Sequence, residues 1–168
     1  KEIPKRLFEK KVVGLSLSNT SAPIAYNHLD GKMFSTIDLG GKNKNLADYA
    51  LSANLSVEQH YSIHSVIELL ITDRFHASIF TLLQTESPIL FFEDPEKWIG
   101  ENSKGRHLFN MLGIESMVFR DIDLINNQKW INDKIKFWGH KVSLINKNLN
   151  KLKSEGFKTI KKGLLGII

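Results

Sequence analysis

Residues 67–92 read IELLITDRFHASIFTLLQTESPILFF, and this stretch decides the fold class. The short apolar run over 67–71 predicts one central strand. Residues 75–84 then place apolar side chains at helical spacing, and Pro88 opens a second apolar run over 89–92. A strand, a helix and another strand in succession are typical of a parallel sheet covered by helices.

The segments on either side of this stretch continue the alternation. Ser56 is a favoured helix N-cap, and Gly113 is a favoured residue just after a helix. Further strands are predicted over 12–17, 34–39 and 114–119. Further helices are predicted over 46–51, 56–65 and 106–112. The sequence therefore predicts an α/β protein, with a Rossmann-like parallel sheet and helices on both faces.

The last forty residues follow a different pattern. Their apolar residues alternate between spacings of four and three, which predicts a long amphipathic helix with lysines on its other face. The residues of this stripe are Ile131, Ile135, Trp138, Val142, Ile145, Leu149 and Leu152. We expect a Rossmann-like domain over 1–125 and a Lys-rich helical tail over 126–168, which packs on that domain or on a partner.

Composition and charge narrow the choice of function. The chain has no cysteine, so disulfides, thiolate nucleophiles and cysteine metal sites are excluded. No apolar run reaches the roughly 18 residues of a membrane helix, and we expect a cytoplasmic protein. From residue 129 onward the chain has ten lysines and two acidic residues, which is a net charge of +8. Because the whole chain carries +5, the remainder has a net charge of −3. This tail is either a solvated lysine face or a surface that contacts nucleic acid, anionic membrane lipid or an acidic partner. We predict no specific nucleic-acid partner and a peripheral membrane contact as one possibility.

The residues that follow the central strand carry the chemistry. Arg74 is a permanent cation whose fork suits carboxylate or phosphate, and His76 exchanges a proton near neutral pH. Both stand where a helix begins, and unpaired N–H groups there attract anions. The sequence thus predicts a small-anion site with an acid–base residue. The alternative is structural: Arg74 pairs with the adjacent Asp73, and His76 is an ordinary polar residue.

Two other places in the sequence are candidates for a site. Residues 100–105 lead into a helix that begins near Arg106, a second candidate anion site at the same sheet edge, which Lys97 could also reach. His60 and His64 are four residues apart, a spacing that can bind a metal, but no third ligand is apparent, so no metal is predicted.

The stretch from residue 71 to 83, with Ser87-Pro88-Ile89 after it, resembles the signature of the polysaccharide pyruvyl transferase family. That signature is an apolar strand, then Thr-x-Arg-x-His, a small residue, an apolar helix and a proline before the next strand. The helix start at 56–59 and the stretch over 92–97 also resemble the family. The resemblance covers residues 55 to 114.

This resemblance implies one half, the C-terminal one, of a GT-B-like fold. It implies transfer of a pyruvyl group from phosphoenolpyruvate to a sugar hydroxyl of a glycan acceptor, with no further cofactor. His76 would protonate the enol methylene, and Arg74 would bind the donor's carboxylate or phosphate. The expected substrate-binding residues are Arg74, Phe75, Lys97, Ser103 and Arg106. A missing N-terminal Rossmann-like half, or a partner subunit, would complete the site.

Two other functions remain open at the level of sequence. A GT-B-type glycosyltransferase-like domain would use a nucleotide sugar in place of phosphoenolpyruvate. A non-catalytic assembly module would act through the basic C-terminal helix.

Overall fold

The computed structural model describes residues 4–18, 22–29, 31–40, 45–51, 55–93 and 103–165, except for the side chains of residues 22, 28 and 157–165. Its strands are β1 (Lys11–Ser16), β2 (Phe34–Asp38), β3 (Tyr49–Ala50), β4 (Leu69–Thr72), β5 (Ile89–Phe92) and β6 (Val118–Phe119). Within the described residues they form one sheet in the order β3-β2-β1-β4-β5-β6, and every pairing is parallel.

Helices cover both faces of this sheet, so the predicted α/β, Rossmann-like class is confirmed. They are α1 (Ala22–His28), α2 (Val57–Ile63), α3 (Phe75–Gln84), α4 (Lys104–Met111) and α5 (Gln128–Leu165). The predicted N-cap is correct, because the Ser56 side chain accepts from the Gln59 N–H while the Gln59 side chain accepts from the Ser56 N–H. The four residues of β4 are all buried, as a central strand requires.

The strand order places a topological switch point between β1 and β4. The chain moves outward from β1 to β2 and β3, then returns to the other side of β1 and continues outward from β4. The connections on the two sides therefore diverge and leave a crevice at the carboxyl ends of these two strands, where open α/β sheets bind ligands.

The C-terminal helix α5 packs on the sheet domain through the predicted stripe. Ile131, Trp138 and Ile145 are buried in the same core as the sheet. The Trp138 indole N–H donates to the Glu86 carbonyl at 2.8 Å, which fixes the helix against the loop before β5. The division of the chain at residue 125 stays a prediction. No helix in the described part of the chain is long and apolar enough to cross a membrane.

The helix predicted over 46–51 is wrong. This segment instead ends in β3, which pairs with the outer edge of β2. Asp48 accepts hydrogen bonds from the Thr36 N–H at 2.8 Å and the Thr36 hydroxyl at 3.0 Å, and its own N–H donates to that hydroxyl. These contacts join residues twelve apart, so local helical preference is overridden by pairing with the sheet.

Two other elements differ from the prediction. The strand expected over 114–119 shortens to β6, because Glu115–Met117 form a single 3₁₀ turn. Helix α1 lies between the predicted strands over 12–17 and 34–39, where the sequence predicts no helix. Its short sequence, Ala22-Pro23-Ile24-Ala25-Tyr26-Asn27-His28, contains a proline and too few turns for a readable period.

Replacing Gly139 with alanine is expected to stabilise the protein by about 1 kcal/mol. Gly139 is exposed within α5, and a Cβ built on it meets no heavy atom within 4 Å. Gly113→Ala is the matched control. Gly113 has φ of 78°, and its Cβ would stand 3.0 Å from Leu144, so this change should destabilise the protein. Urea unfolding measures both, and a loss of stability for Gly139→Ala would contradict the prediction.

Candidate functional site

Two side chains at the end of β4 tie it to the end of β1. The Thr72 hydroxyl donates to the Ser16 carbonyl at 2.7 Å and accepts from the Arg74 N–H at 2.8 Å. The Asp73 side chain is only 4% exposed, and its Oδ2 accepts from the Ser18 N–H at 2.8 Å. These bonds span the switch point, so they fix the backbone from which the candidate residues project.

Arg74 lies between the carboxyl end of β4 and the start of α3, beside the switch point. Its backbone is extended (φ −106°, ψ 118°), and it is the N-cap residue of α3 without a side-chain capping bond. Its side chain is 49% exposed, and its Nε lies 3.0 Å from Asp73 Oδ1. The pairing with Asp73 that the sequence left open is therefore present. It engages the Nε edge of the guanidinium, which still has two terminal nitrogens.

His76 lies in the first turn of α3 with its side chain exposed. The intervening Phe75 is partly buried against the core, and its ring contacts the imidazole edge-on with the centroids 5.7 Å apart. Residues two apart diverge on a regular helix, so Arg74 and His76 can face one ligand only if the backbone at Arg74 is not helical. The extended backbone of Arg74 meets that requirement. Convergence of Arg74 and His76 on one ligand stays a prediction.

A second polar cluster lies at the ends of β5 and β6, and its centre is the buried Glu93. Arg106 donates to both Glu93 oxygens, from Nε at 3.2 Å and from Nη2 at 2.6 Å, and the Ser103 hydroxyl donates to Oε1. Arg120 adds a charge 3.6 Å from Oε2. Burial acts to raise the pKa of Glu93, but the bonds from Arg106 and Ser103 and the nearby arginine charges lower it overall.

Two of the predicted substrate-binding residues belong to this cluster. Ser103 is buried and caps α4 by accepting from the Arg106 N–H at 3.0 Å. Arg106 also donates to Glu115 at 2.9 Å, so both residues already have partners within the protein. A ligand that uses them must share or displace the Glu93 carboxylate. Their role in substrate binding stays a prediction, and Lys97 lies outside the described residues.

Sequence reasoning assigned no role to Thr72 or Glu93, although a weak signal exists for both. Each is a polar residue at the end of a buried strand or directly after it, where polar side chains meet at one edge of a parallel sheet. Whether such a residue binds a ligand or another side chain depends on residues distant in sequence.

His60 and His64 have other partners than a metal. His60 Nε2 lies 3.1 Å from the Leu39 carbonyl, and His64 Nδ1 lies 2.7 Å from the Thr81 hydroxyl. Within the described residues no three His, Asp or Glu side chains are grouped for a metal. His64 is fully buried, so burial, and then the nearby charge of His60, lower its pKa to about 4.

We expect the protein to lose about 3 kcal/mol of stability through His64 as the pH falls from about 6.5 to about 4. The unfolded chain binds a proton near its ordinary pKa of 6.5, whereas the folded state does not until about pH 4. Proton binding therefore lowers the free energy of the unfolded state relative to the folded state throughout this interval. Guanidinium unfolding at pH 7, 5.5 and 4.5 measures the loss.

The variant His64→Asn isolates this contribution, because asparagine can still bond Thr81 but does not titrate. Its stability should fall less with acid than that of the wild type. His140→Asn, an exposed position on α5, is the control and should follow the wild type. Identical slopes for wild type and His64→Asn would contradict the assignment.

Comparison with known proteins adds evidence on the fold. No family model matches this sequence, and no curated protein matches it. Among solved structures, the chain is similar to one described as the crystal structure analysis of the glycotransferase of kitacinnamycin, with a TM-score of 0.55 and 10% sequence identity. The similarity covers 93% of this chain and 42% of that protein.

At 10% identity this similarity shows the fold alone. It agrees with the Rossmann-like α/β fold, of the kind found in one half of a GT-B architecture, that the sequence predicted. The chain spans 42% of the neighbour's length.

Proposed function

We propose that this chain is the donor-binding half of a cytoplasmic transferase that moves a pyruvyl group from phosphoenolpyruvate to a sugar hydroxyl in glycan synthesis. The observation that carries the proposal is that Arg74 and His76 both lie where α3 begins, at the carboxyl end of β4 beside the switch point. An exposed cation and an exposed acid–base residue stand there at the uncapped start of a ten-residue helix.

The donor's charge suits this corner of the molecule. Phosphoenolpyruvate carries a carboxylate and a phosphate, and Arg74 can receive either one in a two-point contact. The first N–H groups of α3 have no acceptor inside the helix, and α3 lacks the serine cap that α2 and α4 possess. The other anionic group can therefore bind at the helix N-terminus, aided by its partial positive charge.

The reaction assigns the proton to His76. Protonated His76 donates to the methylene carbon of the enol, which becomes a methyl group and leaves C2 electrophilic. One acceptor hydroxyl attacks C2, the phosphate leaves with its bonding electrons, and a second hydroxyl closes the ketal. Of the two hydroxyl protons, one restores His76 and the other leaves on inorganic phosphate. Arg74 stabilises the negative charge of the donor throughout.

The second candidate is a glycosyltransferase domain that binds a nucleotide sugar, and the structural neighbour favours it. Both candidates place an anionic donor at the same edge of the sheet, because the switch point serves either ligand. They differ in what must be bound, since a nucleotide also needs contacts to its ribose and base.

Direct titration of the complete protein separates the two. We expect calorimetry to show phosphoenolpyruvate binding, weakened about tenfold or more by Arg74→Ala because a charge-assisted contact is lost. Arg6→Ala is the control, since Arg6 is exposed before β1 at the opposite end of the sheet. Binding of uridine diphosphate without binding of phosphoenolpyruvate would overturn the proposal in favour of the second candidate.

A further inference from the structure

Asp73 occupies an unusual position for a residue beside the candidate site. Its carboxylate is buried, yet within the described residues only Oδ2 has a hydrogen-bond partner, the Ser18 N–H. Oδ1 lies 3.0 Å from Arg74 Nε, close enough for an ion pair but not aligned as a hydrogen bond. A buried carboxylate requires compensation, and here one cation, Arg74, provides it.

The contact leaves one edge of the guanidinium available. Arginine presents three nitrogens in a plane, and Asp73 engages Nε, the one nearest the side-chain stem. Within the described part of the chain, the two terminal nitrogens of Arg74 donate no hydrogen bond, and the closest contact with Asp73 is made by Nε. They form the end-on fork that binds a carboxylate or phosphate through two parallel bonds.

The backbone beneath Arg74 is fixed independently. The Thr72 hydroxyl accepts from the Arg74 N–H and donates to the Ser16 carbonyl, so the start of the side chain is attached to β1. Asp73 is attached to the segment after β1 through Ser18. The Arg74 side chain is therefore constrained at both ends: Thr72 fixes its backbone and Asp73 holds the Nε of its guanidinium.

We propose that Asp73 is a positioning residue, which holds Arg74 through Nε so that its terminal nitrogens meet the anionic donor end-on. This inference rests on the proposed function for the identity of the donor. Half-exposed arginine side chains lose considerable rotamer freedom on binding, and an arginine that is already oriented loses less. The negative charge of Asp73 thus assists anion binding, although the two charges have the same sign.

A double-mutant cycle tests the positioning role. Asp73→Asn preserves size, and its side-chain oxygen can still accept from the Ser18 N–H, but the ion pair is lost. We expect Asp73→Asn to raise the Kd for phosphoenolpyruvate about tenfold when Arg74 is present, and to change it little in the Arg74→Ala background. A purely structural role would weaken binding equally in both backgrounds.

Asp48→Asn provides the matched control. Asp48 also accepts from a backbone N–H across neighbouring segments, but at the β2–β3 edge, away from Arg74. It should leave phosphoenolpyruvate affinity unchanged. Equal effects of Asp73→Asn in both backgrounds, no effect in either, or tighter binding by Asp73→Asn would each overturn the inference. Tighter binding would mean that the carboxylate competes with the donor.

A ligand-free measurement distinguishes failure of this inference from failure of the proposed function. In nitrogen-15 spectra, the Arg74 Nε–H signal, identified by its loss in Arg74→Ala, should be sharp in the wild type and broadened by exchange in Asp73→Asn. If the signal broadens in Asp73→Asn as expected but phosphoenolpyruvate does not bind, then Asp73 does position Arg74 and the proposed donor is wrong. If the signal is the same in both proteins, Asp73 does not position Arg74, and this inference is overturned whichever donor binds.

Discussion

Replacing His76 with alanine is expected to lower the rate of pyruvyl transfer by about 10²–10⁴-fold, the usual contribution of a positioned general acid. His76 stands exposed in the first turn of α3, one residue beyond Phe75 and next to the proposed donor site. Without its proton the enol carbon is not activated, and C2 does not become electrophilic. The effect should appear in kcat, because Arg74 and the helix N-terminus still bind the donor.

The measurement uses the complete protein with phosphoenolpyruvate and a glycan acceptor, and follows phosphate release. Donor affinity, measured by calorimetry on the same variant, should change little. His140→Ala is the control, since His140 is an exposed histidine on α5 with no part in the site. Near-normal transfer by His76→Ala would rule out His76 as the general acid. The anion site would still stand in that case if Arg74→Ala weakens phosphoenolpyruvate binding as predicted.

Replacing Glu93 with alanine is expected to destabilise the protein by about 3–5 kcal/mol. The Glu93 side chain is 5% exposed and receives bonds from Arg106 and Ser103, with Arg120 nearby. Its removal leaves the partly buried Arg106 with the exposed Glu115 as its remaining counter-charge among the described residues, and it leaves the buried Ser103 hydroxyl without its acceptor. The loss therefore exceeds the worth of the ion pair itself, because uncompensated groups remain.

Glu115→Ala is the matched comparison. Glu115 contacts the same Arg106 at 2.9 Å, but its side chain is 47% exposed, and exposed ion pairs contribute about 0–1 kcal/mol. Denaturant unfolding of both variants compares how much stability a buried and an exposed carboxylate contribute by pairing with the same arginine. Similar small losses for the two variants would show that the Glu93 cluster contributes little to stability.

The amino-acid order alone determined the alternation of elements. The apolar runs within β4 and β5 are short and contain no polar interruption, because both faces of a central strand are covered. The helical spacing over 75–84 predicted α3 with the correct limits. The stripe from Ile131 to Leu152 predicted the amphipathic helix α5 in the same way. These are local patterns, since each depends on residues within one element.

The placement of Arg74 and His76 at a strand-to-helix turn was also readable from the sequence. It follows from where an apolar strand ends and a helical period begins. Whether Arg74 and His76 bind a donor depends on contacts with the ligand, so this role stays a prediction. Local pattern therefore indicated where to look, and chemistry of the residue types indicated what class of ligand to expect.

Only the tertiary structure decided the contacts between distant residues. It placed β4 beside β1, which created the switch point, and it turned the segment around Asp48 into an edge pairing instead of a helix. It assigned Arg106 to Glu93, thirteen residues away, and Asp73 to the Ser18 backbone, fifty-five residues away. A charge or a short polar segment suits many partners, and only packing of the whole chain fixes which one is within reach.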